Sequence, residues 1–188
     1  MLELCKCIDW NDERRTEGRC CSAFWYELGC SMILLKVLTP DDWGLWRQLR
    51  LAALQEASEA FGSTLADWRG DGDREERWRH RLAAVSFNVI ASVNEDLAGM
   101  VSGDCNNHGA ELISLWVAPF ARGQGVGDRL VEAVVQWACH QYVTRLCLSV
   151  RDHNAPAIRL YRRQGFRSVG PSPESDPGSP ETLFVRYL

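Results

Sequence analysis

The sequence predicts an α/β fold, a mixed sheet with helices on both faces. Three observations carry it. The second half alternates short β-prone apolar runs with segments of helical period, which implies parallel strands joined by crossover helices. Residues 88–93 and 97–102 are two β-prone runs around Asn94-Glu95-Asp96, which reads as an antiparallel meander. Finally, 188 residues with 46% hydrophobic and 24% charged content can build the core of one domain.

Residues 1–31 share no period with the rest. Cys5, Cys7, Cys20, Cys21 and Cys30 have no zinc-like spacing and no nearby His. The segment reads as a loosely docked leader, with a helical extension and a metal or disulfide module as alternatives; Met32 then opens the domain, 32–188. Residues 33–38 read as a strand. Thr39-Pro40-Asp41-Asp42 starts a helix: Thr39 caps it, Pro40 takes the first position, and the acids favour the positive end of the helix dipole. Leu45, Trp46, Leu49, Leu51, Ala52 and Leu54 carry that helix to about Ala57. A loop through Phe61-Gly62-Ser63-Thr64, a helical piece at 65–69 and the break Gly70-Asp71-Gly72-Asp73 lead to a helix at 74–84, anchored by Trp78 and Leu82. After the meander, 103–109 (GDCNNHG) reads as a turn-rich loop.

Residues 111–117 read as a strand with Ile113, Leu115 and Val117 on one face, stopped by Pro119. Arg122-Gly123-Gln124-Gly125-Val126-Gly127 follows. Then Leu130, Val131, Val134, Val135 and Ala138 recur at helical spacing to His140. Alternate glycines let the backbone turn sharply and gather N–H groups at a helix start, a place that holds phosphate. Arg122 can add a charge-assisted bond. A Walker A loop is excluded, because Asp128 and Arg129 follow Gly127 in place of Lys and Ser/Thr. A dinucleotide fingerprint is excluded because Asp128 holds its third glycine position. Residues 145–150 read as a strand, 154–164 as a helix closed by Gly165, 166–169 as a strand, 170–181 (GPSPESDPGSPE) as a surface loop and 183–187 as a last strand. The element order is β-α-α-β-β-β-α-β-α-β-β. Cys105, Cys139 and Cys147 lie outside the motifs and read as small hydrophobes.

The segment 150–166 (VRDHNAPAIRLYRRQGF) holds Asn154 after a strand, Ala157 three residues on, Leu160-Tyr161 and Gly165-Phe166. With R-x-x-G-x-G between strand and helix, this resembles the GNAT superfamily of acyl-CoA-dependent N-acetyltransferases. The resemblance covers 32–188 in element order and is sharpest over 111–166. It implies a GNAT-like fold with a splayed central strand pair and acetyl-CoA as cosubstrate. Arg122, Gly123, Gln124, Gly125, Val126 and Gly127 would cradle the pyrophosphate, and backbone at Trp116 and Val117 would pair with pantetheine like an added strand. Asn154 and Ala157 would sit beside pantetheine, while Asn154 also reads as an ordinary N-cap. Tyr161 would be the general acid for the leaving thiolate, against the alternative of a core tyrosine. Glu111, eleven positions before Arg122, would be the general base that frees the amine of its proton. Ser114, on the opposite strand face, and His108 are weaker polar candidates.

The implied reaction is transfer of acetyl from acetyl-CoA to a primary amine by direct attack in a ternary complex. The acceptor is either a small amine (a polyamine, amino acid or aminoglycoside) or a protein N-terminus or lysine. Acids at Glu56, Glu59, Glu174, Asp176 and Glu181 suit a cationic amine. A non-catalytic acyl-CoA-binding regulatory module is the alternative. A net charge of −4 argues against nucleic acid. The absence of a long apolar run and of an evident signal leads to the expectation of a cytoplasmic protein, monomer or homodimer, with no membrane partner and no metal.

Overall fold

The computed structural model describes residues 32–106, 109–173, 175 and 178–188. The expectations for 1–31, His108, Glu174 and Asp176 lie outside the described residues. Strands β1 (Ile33–Val37), β2 (Phe87–Val93), β3 (Asp96–Asn106), β4 (Gly109–Val117), β5 (Arg145–Arg151), β6 (Arg167–Pro171) and β7 (Glu181–Tyr187) make one sheet in the order β1-β2-β3-β4-β5-β7-β6. Helices α1 (Trp43–Glu56) and α2 (Glu75–Ala84) pack on one face; α3 (Val126–His140) and α4 (Ala155–Arg163) pack on the other. The element order is the expected one. Neighbouring strands are antiparallel except β4 and β5, which are parallel. The last strand, β7, inserts between β5 and β6, so the crossover through α4 joins strands that never touch.

Alternation divides the core. Val89, Ala91 and Val101 face α3, whose Val126, Leu130, Val131, Val134, Val135 and Ala138 form its buried stripe. Ile90 and Met100 face the other way, toward Trp46, Leu49 and Ala53 of α1 and Trp78 and Leu82 of α2. In α1 it is Ala53 that turns inward and Ala52 outward, as the spacing from Trp46 and Leu49 requires. The α1 start is a 3-10 turn, Pro40–Asp42, capped as expected: the Thr39 N–H and Oγ1 donate to Asp42 Oδ2 at 2.9 and 3.0 Å.

Three expectations are corrected. Residues 103–109 are not wholly a loop. β3 and β4 run on together, Gly103 pairing with Leu112, Asp104 with Glu111 and Cys105 with Ala110. Gly103 there serves close packing, since a Cβ would lie 2.5 Å from the Trp137 ring. Secondly, Ile113, Leu115 and Val117 do not share a face. Met100 pairs with Trp116 and Ser102 with Ile113, so Ser114 and Leu115 together oppose Val101 in a β-bulge, with Ser114 at φ 59°. The extra residue resets the alternation. Ser114 thereby points to the α1/α2 side, where Arg81 donates to its Oγ, while Leu115 and Val117 pack against the α3 core. Thirdly, Cys105 and Cys139 are exposed and only Cys147 is half-buried, because the first lies far out on the extended β3 and the second on the outer side of α3.

Asp73, just before α2, ties the two front helices. It accepts from Arg47 Nε (2.6 Å) and Nη2 and from Trp78 Nε1 (2.9 Å). The Arg47 guanidinium, then the indole N–H, lowers its pKa to about 2. A lowered folded pKa places this stabilisation above the ordinary Asp value and removes it as pH falls through the folded one. Asp73→Asn is expected to cost about 1 kcal/mol at neutral pH, the pair being partly solvated. That cost should shrink between about pH 4 and pH 2, as urea unfolding at several pH values will measure.

Candidate active site

Among the described residues, β4 and β5 pair at Ala110 with Leu146 and Glu111 with Cys147 and nowhere else. Beyond them the strands separate, and a cleft of about 480 Å³ opens between their far ends. Each strand leads to a helix that begins at this opening. β4 reaches α3 through Arg122–Gly127, with Gly123 at φ 78° and Gly125 at φ 86°, left-handed conformations that favour glycine. Gly125 is the N-cap of α3. β5 reaches α4 through Asn154, whose Oδ1 accepts the Ala157 N–H at 3.2 Å, an N-cap. Asp128 in the first turn of α3 accepts from Arg163 Nε (3.0 Å) and Nη2 (2.9 Å) and Gln164 Nε2 (2.8 Å), which fastens the two helices together.

Of the residues that the sequence singles out for the cosubstrate, Trp116, Val117, Arg122, Gly123, Gly125, Gly127, Asn154 and Ala157 line the cleft. Gln124 turns away, its Nε2 donating to the Phe120 carbonyl at 2.7 Å. The Val126 side chain is buried in the α3 core, so only its backbone could serve a ligand. Tyr161 lies one residue beyond Leu160, which lines the cleft, but it is itself 7% exposed and packs edge-on to Phe166, ring centroids 5.9 Å apart. Burial pushes its phenol above the usual range, and its hydroxyl makes no hydrogen bond among the described residues. It is a neutral phenol, able to donate. Glu111 lies on the α1/α2 side of β4, beside Cys147 and about 13 Å of strand before Leu115. Burial, and less strongly the Glu111 charge, raises the Cys147 thiol pKa. Ser114 is nearer the cleft, and the bulge places it on the same side of the strand as Glu111.

Glu56 takes a part that its sequence position does not reveal. At the end of α1, its Oε2 accepts from Arg122 Nη2 at 2.7 Å and from Trp116 Nε1 at 3.0 Å, while Arg122 Nε donates to the Val117 carbonyl at 3.1 Å. The guanidinium of the glycine loop is thus shared between a carboxylate and the strand edge. The two partners are 66 residues apart, and no local pattern links them. Glu181 is likewise engaged: its Oε1 lies 3.0 Å from Arg151 Nε, an ion contact without hydrogen-bond geometry. Among the described residues no cluster of His, Cys, Asp or Glu could hold a metal ion, and no helix is long and apolar enough to cross a membrane. Chemically, the loop and α3 N-terminus suit an anion, and the edge of β4 suits an extended amide chain.

Residues 50–166 match the family model described as Acetyltransferase (GNAT) family. The chain is 37% identical over 84 residues to the streptothricin acetyltransferase of Streptomyces lavendulae, covering 44% of each protein. It is 33% identical over 76 residues to the peptidyl-lysine N-acetyltransferase YjaB of Salmonella typhimurium, covering 40% of this chain and 49% of that one. It therefore spans about half the length of these curated relatives. A GNAT-family acetyltransferase from Streptococcus pneumoniae superposes with a TM-score of 0.67 at 20% identity, over 84% of this chain and 99% of that one, a likeness of fold.

The Arg122 guanidinium, and after it the Trp116 indole, holds the Glu56 carboxyl below its usual range. The stabilisation is therefore complete above the ordinary Glu value and lost as pH falls through the lowered one. Both side chains are exposed, so Glu56→Gln is expected to cost less than about 1 kcal/mol at neutral pH. Thermal unfolding followed down through the carboxylate range should show parent and variant converging in acid.

Proposed function

This chain belongs to the GNAT acetyltransferase family, and from that premise we propose that it moves the acetyl group of acetyl-CoA onto a primary amine by direct attack in a ternary complex. The observation that carries the reading is the opening between β4 and β5 with a left-handed glycine loop at its mouth. In this reading Arg122 and the N–H groups of the loop hold the pyrophosphate. The edge of β4 at Trp116 and Val117, where Arg122 Nε donates to the Val117 carbonyl, aligns the pantetheine, with Asn154 and Ala157 on the opposite wall. Tyr161 gives its proton to the departing thiolate. Glu111 accepts the proton of the incoming ammonium through water, a relay that its distance from the cleft requires. No protein nucleophile takes part. The acceptor is a small amine or a protein amine; one relative's name gives streptothricin and the other's peptidyl-lysine. The reaction is placed in the cytoplasm.

One observation favours a second reading, a non-catalytic acyl-CoA-binding module: Tyr161 is buried and lies off the cleft lining. Two experiments decide. In calorimetry, acetyl-CoA is expected to bind the parent chain, and Arg122→Glu to weaken binding by about tenfold to a hundredfold, the worth of a charge-assisted bond. Unchanged affinity would remove the pyrophosphate from Arg122. In a thiol-release assay across an amine panel, Tyr161→Phe is expected to lower kcat by about a hundredfold, the low end for general acid catalysis, with acetyl-CoA affinity unchanged. A fully active variant would take Tyr161 out of the mechanism. Binding without turnover of any amine would support the second reading.

A further inference from the structure

Two arginines on the α1/α2 side of the sheet carry positive charge that their surroundings do not neutralise. Arg50 lies one turn from Trp46 and Leu54 on the inner side of α1. Its Nη2 donates to Ser63 Oγ at 2.9 Å, and its guanidinium stands 4.5 Å from the centroid of the Phe61 ring. Its Nη1 is buried and has no hydrogen-bond partner. Arg81 occupies the inner side of α2. Its Nη1 donates to Asn88 Oδ1 at 3.2 Å, and its Nη2 to Ser102 Oγ and Ser114 Oγ at 3.3 and 3.5 Å, long bonds to neutral oxygens. It stands 5.2 Å from the Trp46 ring centroid.

The same two helices show what a structural arginine looks like here. Arg47 is paired with Asp73, and Arg79 with Asp41 and Glu75. Arg50 and Arg81 make no ion pair among the described residues. Asp104 acts on Arg81 only as a more distant charge, its Oδ1 being taken by Ser86 and the Cys105 N–H. Burial first, and then the Arg81 charge, brings the Arg50 pKa down to about 10, which still leaves it a cation at neutral pH. Like charges held together under apolar cover are costly unless an anion joins them. The planar guanidinium fork matches a carboxylate, and hydroxyls and aromatic faces cannot replace one. Neither guanidinium lines the cleft itself; Arg50 lies behind Phe61, which does line it, and Arg81 reaches β4 through Ser114, next in sequence to Leu115 of the lining.

We propose that Arg50 and Arg81 form a subsite for a carboxylate on the acceptor, so that the amine acetylated is a small amino-carboxylic acid and not a polycation. This rests on the acetyl-transfer reading and selects among its acceptors. It also replaces the cationic preference suggested by the acids of the sequence, of which Glu56 and Glu181 are engaged by arginines.

The test compares each common L-amino acid with its own carboxamide, beside putrescine and spermidine, by release of free CoA from the full chain. At least one amino acid is expected to exceed its amide in kcat/KM by about tenfold or more, the worth of a charge-assisted bond. Amidation lowers the pKa of the amine and leaves more of it nucleophilic, so it works against this outcome. Arg50→Gln is expected to raise KM for that acid by about tenfold or more, leaving kcat, acetyl-CoA affinity and the kinetics of the amide unchanged. Equal use of acids and amides, polyamines as the best acceptors, or acetyl-CoA binding with no turnover of any acid would each overturn the inference while sparing the donor site. Failure of acetyl-CoA to bind would remove the acetyl-transfer reading and this inference with it. The comparison of acid with amide needs no variant, so it stands even if the arginine substitutions unfold the chain.

Discussion

The molecule is shaped by a pairing it does not complete. After Ala110–Glu111 and Leu146–Cys147, two adjacent parallel strands stop pairing. Backbone donors and acceptors inside a protein are nearly always paired, so an open edge in the middle of a sheet asks for a partner. Everything near the opening is arranged around that demand. Both crossover helices start there, because each follows one of the two diverging strands; the first turn of α4 is satisfied by His153 and Asn154, while the start of α3 has no side-chain cap. The Asp128 bonds to Arg163 and Gln164 link the two helices at the wall of the opening, which Asp128 and Arg163 themselves line.

Much of this was legible in the chain. The apolar stripe of α3, the Thr39 and Asn154 caps and the glycines at 123 and 125 are local features, and local physics decides them. What escaped was non-local. Turn-forming composition at 103–109 suggested a loop, but cross-strand pairing and the contact of Gly103 with Trp137 override composition there. The bulge at Ser114 carries no Gly or Pro to announce it. Insertion of β7 between β5 and β6 depends on which edge is free once the rest has assembled. In the site, residues of the two motifs meet at the cleft, while the Glu56 contact with Arg122 joins segments that no spacing rule connects.

Charge shows the same division. A net charge of −4 and acids in two loops suggested a surface made for cations. In space, two of those acids face arginines, and the uncompensated charge near the cleft is positive and lies behind aromatic rings. Composition reports a sum, whereas recognition depends on what remains unpaired where a ligand arrives.

The single extra residue at Ser114 has a wider consequence. Because the alternation restarts there, one continuous strand shows Glu111, Ile113 and Ser114 to one side and then commits Leu115 and Val117 to the other. Trp116 then falls on the α1/α2 side, between two residues that face α3. Upstream of the bulge, Ala110 and Leu112 share the α3-side core with Leu115 and Val117, so the packing of the two halves is common. The bulge lets one strand give apolar residues to the cores on both faces of the sheet while turning Ser114 toward Arg81.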